Sequence, residues 1–199
     1  MIFIKHFFDF VFSLTLIIFF SPIFLLLSIF IKLEDGGKVF FKQERVGKNR
    51  KVFKIIKFRS MVENAIKMKG GHSVYENDPR ITKIGSFLRK TSLDEIPQLF
   101  NILKGDMSFI GPRPPLTYFP KDYQKYEDWV VLRFSMRPGM TGLAQVNGRN
   151  DIDWYERFKY DVEYVKNWSI LFDLKILLNT MQIVFSKRGI YRTDRGEKK

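Results

Sequence analysis

The sequence predicts an α+β fold: a mostly helical domain with a small β-hairpin, entered through a long apolar N-terminal helix. Three observations carry this. Phe10 to Ile31 (FVFSLTLIIFFSPIFLLLSIFI) run for 22 positions without a charge. Soon after, two β-branched and aromatic runs, Val39-Phe40-Phe41 and Val52-Phe53-Lys54-Ile55-Ile56, flank a polar stretch holding Gly47 and Asn49, the pattern of two strands and a turn. Beyond them, helical stretches alternate with Gly- and Pro-rich loops.

A straight helix over the apolar run would reach about 33 Å, enough to span a bilayer. A spanning anchor is the simplest reading. A cleaved signal peptide suits the segment less, because the run is too long and no small-residue cleavage site precedes Glu34. Ser21-Pro22 lies near the middle. Proline cannot donate to the helical ladder, so it breaks or bends the helix there, and Ser21 could serve a freed carbonyl. Lys5 and His6 precede the run and Lys32 follows it, while Lys38 to Arg59 hold nine basic residues against one acid, Glu44. Such density marks a cytoplasmic, lipid-facing flank. Basic residues at both ends fit a re-entrant hairpin as well as an anchor, and composition leaves both open.

The remaining elements follow in order. Met61 to Lys69 reads as a helix, and Gly70-Gly71 with Asn77-Asp78-Pro79 as a loop. Ile84 to Lys90 and Asp94 to Leu103 are short helices. Pro112, Pro114 and Pro115 stiffen an irregular segment. Arg137-Pro138-Gly139 to Arg149 reads as a second Gly-rich loop, with Gln145 and Asn147 as its polar residues. Trp154 to Val165 is helical, as is the apolar stretch Leu171 to Phe185, which fits the core and the membrane interface equally well. The expected organisation is a membrane-embedded segment (1–34), a cytoplasmic domain (35–186), with interfacial amphipathic helices where such a stretch lies on the membrane, and a basic tail (187–199).

Composition narrows the chemistry. Among 199 residues, 34 Lys and Arg against 21 Asp and Glu give a net charge of +13, so the partner is anionic. That charge concentrates beside the apolar segment, where anionic lipid would sit, which argues against nucleic acid as partner. With no cysteine, disulfides and thiolate catalysis are excluded. His6 and His72 stand 66 positions apart, which gives no histidine cluster for zinc and disfavours a Ser-His triad. Acid–base or nucleophilic work falls to carboxylates, with lysine or tyrosine as lesser candidates.

The stretch SLDEIPQLFNILKGDMSFIGPRP, Ser92 to Pro114, is the richest in candidates. It sets Asp94 and Glu95 side by side at an expected helix start, where the dipole favours the ionised form. Ser92-x-x-Glu95 also matches a capping box. Pro97 would then be the fifth helical residue and would clash one turn back; with Asp94 as cap it falls in the tolerated first turn. Capping and catalysis both remain open on pattern alone. Arg113 sits between two prolines, and a stiff backbone aims a guanidinium fork suited to phosphate. Arg59, Arg89 and Arg149 are further phosphate-binding candidates. Asp161, on the helix after the second Gly-rich loop, reads as a metal ligand or as a solvated helix residue.

Read together, these segments resemble the bacterial sugar transferase family, the monotopic phosphoglycosyl transferases, in their minimal catalytic form. The resemblance rests on the Ser21-Pro22 break, FKIIKFRSM (Phe53 to Met61), LRKTSLDEIPQLFNILKGDMSFIGPRP (Leu88 to Pro114), RPGMTGLAQVNGRN (Arg137 to Asn150) and FKYDVEYVKN (Phe158 to Asn167). It implies an enzyme that moves sugar-1-phosphate from a UDP-sugar to undecaprenyl phosphate through a covalent intermediate on Asp94, with release of UMP. It also implies Mg2+, a metal site at Asp94 and Asp161, and a role for Glu95 in holding metal, orienting Asp94 or assisting proton transfer. Arg59, Arg89, Arg113 and Arg149 match basic positions of the family motifs. The implied setting is the cytoplasmic face of the bacterial inner membrane, with a re-entrant helix, anionic lipid as neighbour, and a homodimer among the open oligomeric states. The alternative from another class is a membrane-tethered, non-catalytic scaffold whose acid pair only caps a helix.

Overall fold

A computed structural model describes residues 1–68, 78–148 and 152–186 of the chain. Its first element is helix α1, Ile2–Asp35, 34 residues long and therefore about 51 Å in length. It is the one helix among the described residues long and apolar enough to cross a membrane. Secondary structure runs through Pro22 without interruption. Ser21 Oγ donates to the Ile18 carbonyl at 2.7 Å, the carbonyl that an amide at position 22 would otherwise reach. The expected break is thus one missing rung within a continuous helix, and the freed carbonyl has its partner. Gly36, at φ 72°, ends the helix by donating to Lys32 O.

One stripe of α1 is buried, at Lys5, Asp9, Ser13, Leu27 and Ile31, and it meets the domain along the whole helix. Lys5 pairs with Asp173 at 2.6 Å, and Asp9 accepts from the Phe109 amide at 3.1 Å. Leu16 and Ile17 pack on Ile55, Leu99, Ile102 and Met107. Leu27 and Ile31 join Phe58 and Leu88. Arg59 then ties the far end, with its fork on Asp35. The rest of the helix stays uncovered: Phe3 is 83 % exposed, Phe19 71 % and Leu33 76 %.

Strands β1 (Phe40–Val46) and β2 (Val52–Phe58) form the expected antiparallel hairpin, in register from Phe40↔Phe58 to Val46↔Val52. Among the described residues no third strand pairs with the outer edge of β2. Instead Asn101 serves it, its Oδ1 accepting from Ile56 N at 2.9 Å and its Nδ2 donating to Lys54 O at 2.8 Å. This pins helix α3 (Gln98–Leu103) against β2. The helix expected over Met61 to Lys69 is not formed at 61–68, and Lys69 lies outside the described residues. Met61 bridges to Ile81, and only a 3-10 turn follows at Ala65–Lys67. Asn64 is the reason: its left-handed φ of 58° interrupts the helical path.

Helix α2 (Lys83–Thr91) starts at Thr82, whose Oγ1 caps Gly85 N. A Cβ on Gly85 would lie 2.0 Å from Ser60 O, so only glycine lets α2 sit directly on the end of β2. Ser92, at φ 58°, closes α2 and opens a 3-10 turn, Leu93–Glu95, before α3. A second, two-stranded sheet pairs β3 (Ser108–Ile110) in parallel with β4 (Gly139–Thr141). Gly139 lies so close to Gly111 N, 2.1 Å from where its Cβ would be, that no larger residue fits. Helices α4 (Asp128–Val131), α5 (Leu143–Asn147), α6 (Trp154–Lys166) and α7 (Ile170–Ser186) complete the fold. Helix α7 contributes one face to the core and leaves the other uncovered. Ile176 is buried with Tyr164 and Ile110, while Leu171, Leu174 and Leu178 are exposed.

Candidate active site

The acid pair lies on the 3-10 turn between α2 and α3. Neither carboxylate makes a capping bond: α3 begins at Gln98 with Pro97 as its cap residue, and no side chain caps either this turn or α3. Both expected helix registers are therefore replaced by a tighter turn followed by a later helix, and the side chains are left for other contacts. Glu95 takes Lys57 of β2 at 2.5 Å and a hydrogen bond from Gln98. The Asn101 clamp makes this possible, because it fixes α3 and the preceding turn against the strand that carries Lys57.

The two acids are driven apart electrostatically. Burial pushes Asp94 up to about 6; Lys57 and Arg89 oppose this, and the Glu95 charge adds to it. Glu95 goes the other way. Burial works against its ionised form, but Lys57, Arg113 and Gln98 outweigh burial and hold it down at about 2. A helix start alone would lower both; at Asp94 burial beside an ionised neighbour wins, and at about 6 it is still mostly ionised at neutral pH.

Of the expected arginines, two face this pair. Arg89 donates to Ser60 Oγ at 2.9 Å and its charge acts on Asp94. Arg113 acts on Glu95. Its backbone is gripped on both sides: its N–H donates to Asp161 Oδ1 at 3.2 Å and its carbonyl accepts from Arg133 Nη2. Arg133 in turn is buried on Asp161 Oδ2, with its guanidinium over the Phe158 ring at 4.8 Å. Asp161 therefore has both oxygens engaged by protein donors, and its place is that of a strut under the Pro112-Arg113-Pro114 loop, not of a solvated helix residue or an open metal ligand. Arg59 is also placed elsewhere. Its donors are spent on Asp35, Lys38 O and Ile31 O, so it fastens α1 to β2. Arg149, like His72, lies outside the described residues.

Two cations at the site were not expected from the sequence. One is Lys57. The other is Arg45 on β1, which donates to Pro114 O at 3.1 Å and Gln43 Oε1 at 2.8 Å. Burial and the neighbouring Arg113 charge push Arg45 down to about 10, so it stays protonated at neutral pH. Its Nε is buried without a protein partner. The hairpin is rich in basic residues, and spacing does not say which ones turn toward the acids; the packing of α3 on β2 does. The result is a half-buried acid with a raised pKa, beside an ionised acid, framed by Lys57, Arg89, Arg113 and Arg45. Such a setting can hold a polyanion and offer a carboxylate to it.

Among the described residues no group of three or more His, Asp or Glu could cage a metal ion. Magnesium needs no such cage: it takes one or two carboxylates and completes its shell with water and phosphate oxygens. Asp94, with Glu95 adjacent, fits that donor set.

The family model for bacterial sugar transferases matches residues 1–187. Relatives include the undecaprenyl-phosphate galactose phosphotransferase of Salmonella typhimurium, 43 % identical over 95 % of this chain. The UDP-glucose:undecaprenyl-phosphate glucose-1-phosphate transferase of Escherichia coli is 40 % identical over 92 % of this chain. The exopolysaccharide production protein ExoY of Rhizobium meliloti is 40 % identical over 94 % of it. The chain spans 42 % of the Salmonella relative and 40 % of the E. coli one, but 88 % of ExoY.

Proposed function

This chain belongs to the bacterial sugar transferase family, and from that premise we propose that it transfers a sugar-1-phosphate from a UDP-sugar to undecaprenyl phosphate, with Asp94 as nucleophile. The observation that carries the assignment is the placement of Asp94: partly desolvated, free of any capping duty, and flanked by cations. A carboxylate is a weak nucleophile toward a charged diphosphate unless that charge is offset at the reacting phosphorus. Lys57, Arg89, Arg113 and Arg45 supply the offset from fixed positions, two of them on the hairpin and one clamped by the Arg133–Asp161 pair.

In the first step an Asp94 oxygen bonds to the phosphorus next to the sugar. The bond from that phosphorus to the bridging oxygen breaks, and UMP leaves with the electron pair. In the second step a phosphate oxygen of undecaprenyl phosphate attacks the same phosphorus, and the bond to Asp94 breaks to regenerate the carboxylate. A magnesium ion held at Asp94 would lend further positive charge to the phosphate oxygens. Glu95, kept ionised by Lys57, holds that lysine in place and raises the basicity of Asp94. Splitting the transfer in two means that the soluble and the lipid substrate never need to occupy the site together.

The setting proposed is the cytoplasmic face of the bacterial inner membrane. Support comes from the attachment of both ends of α1 to one domain and from the exposed apolar faces of α1 and α7. The scaffold alternative rested on the acid pair serving as a helix cap, and no such bond is present. The deciding experiment is intact mass spectrometry of the protein with a panel of UDP-sugars and no acceptor. A phosphosugar adduct on Asp94, lost in Asp94→Asn with the protein still folded and membrane-bound, is expected. Adduct on another residue, or undiminished UMP release by Asp94→Asn, would refute the assignment.

A further inference from the structure

Away from the acid pair, an open pocket of about 390 Å³ lies under the first turns of α1, lined by Phe3, His6, Lys48, Lys51, Gly105 and Arg137 among others. Four separate parts of the chain converge there: α1, the turn of the hairpin, the turn after α3 that holds Gly105, and the segment entering β4. Arg137 is laid against Gly105, its Nη2 3.2 Å from where a Cβ on that glycine would be. None of Lys48, Lys51 and Arg137 forms an ion pair with a described carboxylate. Lys5 is different, since Asp173 neutralises it. The charges of Arg137, Lys48 and Lys5 bear on the His6 ring, with Asp9 alone opposing them. Gathering cations without a counter-ion is unfavourable, so the pocket is built for an anion. Its rim supplies the second half of the argument. Met1 is 72 % exposed, Phe3 83 % and Phe7 63 %, so an apolar surface begins where the cations end. An anion that also satisfies this surface carries a hydrocarbon chain.

We infer that this pocket binds the phosphate headgroup of one anionic glycerophospholipid, whose acyl chains run along the exposed side of α1. The site is separate from the acid pair, where the charges bearing on Asp94 are those of Lys57, Glu95 and Arg89. It does not depend on the transfer reaction, and its test uses no nucleotide sugar.

Native mass spectrometry of the full chain in a neutral detergent, titrated with phosphatidylglycerol or phosphatidylcholine, measures the affinity directly. One phosphatidylglycerol should bind in clear preference to phosphatidylcholine. Lys48→Ala/Lys51→Ala, on the solvent side of the hairpin turn, should weaken it by about fivefold per cation removed, and Arg137→Gln should do the same independently. Equal binding of the two lipids, or unchanged phosphatidylglycerol affinity in both variants, overturns the inference. So does displacement of the lipid by inorganic phosphate at comparable concentration, which would mark a simple anion site. Displacement by undecaprenyl phosphate at far lower concentration would assign the pocket to that lipid and overturn the phospholipid reading.

Discussion

Asp94 and Glu95 are neighbours in sequence, yet they have opposite electrostatic fates because only Glu95 is hydrogen-bonded to Lys57. Lys57 and Arg113 hold Glu95 down at about 2, while burial and the Glu95 charge push Asp94 up to about 6. The nucleophile must be ionised to attack, so its working fraction falls as pH drops through about 6. The rate of adduct formation on Asp94 should therefore show an acidic limb near pH 6, well above the ordinary aspartate range near 3.9. Substitution fixes the sign. Glu95→Gln removes a negative neighbour, which eases ionisation of Asp94 and moves the limb to lower pH. Lys57→Met removes a cation that favours the ionised form and moves it to higher pH. Single-turnover adduct formation followed by mass across pH 4.5 to 8 reads both shifts; a limb that stays put in both variants means that another group titrates. The expected shift is on the order of one unit in each direction, as for a single charge close to a partly buried carboxylate.

At the scale of elements, the stiffness of the Pro112-Arg113-Pro114 loop comes less from its prolines than from what lies beneath it. Asp161 on α6 accepts the Arg113 amide while Arg133 donates to the Arg113 carbonyl, and the pair is buried with each side chain 1 % exposed. Asp161→Asn leaves Arg133 charged in an apolar setting of Phe134 and Phe158, and should cost about 3–5 kcal/mol of stability. Thermal unfolding should show this loss without magnesium and without substrate. A variant of unchanged stability that lost only magnesium dependence would restore Asp161 as a metal ligand. This strut also marks the boundary of what sequence could reveal. The hairpin, α2, α6 and α7 were legible because each carries a repeating apolar pattern. Asp94 and Glu95 stood out by position, and Arg113 by its flanking prolines. The partners of these residues did not stand out, because Arg133, Lys57, Arg45 and Asn101 act through long-range packing between segments 28 to 69 residues apart. Three-residue strands such as β3 and β4 are too short to show an alternation. The Asn64 kink replaced a helix that composition favoured.

For the whole molecule, the decisive feature is that α1 is fastened to one domain at both ends. Near its start, Lys5 is locked on Asp173, which also receives Tyr164 Oη at 2.7 Å and Trp168 Nε1 at 3.1 Å. At its end, Asp35 sits in the fork of Arg59. A helix crossing a bilayer would put these two attachments on opposite faces, and a domain outside the hydrocarbon can reach only one. Crossing would therefore strip Asp173 or Arg59 of its partner. At the buried Lys5–Asp173 pair, side chains 7 % and 12 % exposed, that separation would cost about 3–5 kcal/mol. The arrangement we propose is that the exposed apolar side of α1, with that of α7, enters the membrane from the face on which the domain lies, as a re-entrant or embedded helix does. The chain offers a clean background for testing this, because it contains no cysteine. A cysteine placed immediately before Met1, and Lys38→Cys in a second protein, should both react with a membrane-impermeant thiol reagent in inside-out vesicles and both be protected in right-side-out ones. Reaction from opposite sides would mean that α1 crosses the bilayer and that one of its two attachments is absent in the membrane. In Lys5→Met the first attachment is removed while Pro22 and the apolar run are intact. If the Lys5–Asp173 pair is what holds the N-terminus to the domain's face, the cysteine before Met1 should become reactive from the far side in a fraction of molecules, whereas the one at position 38 stays where it was.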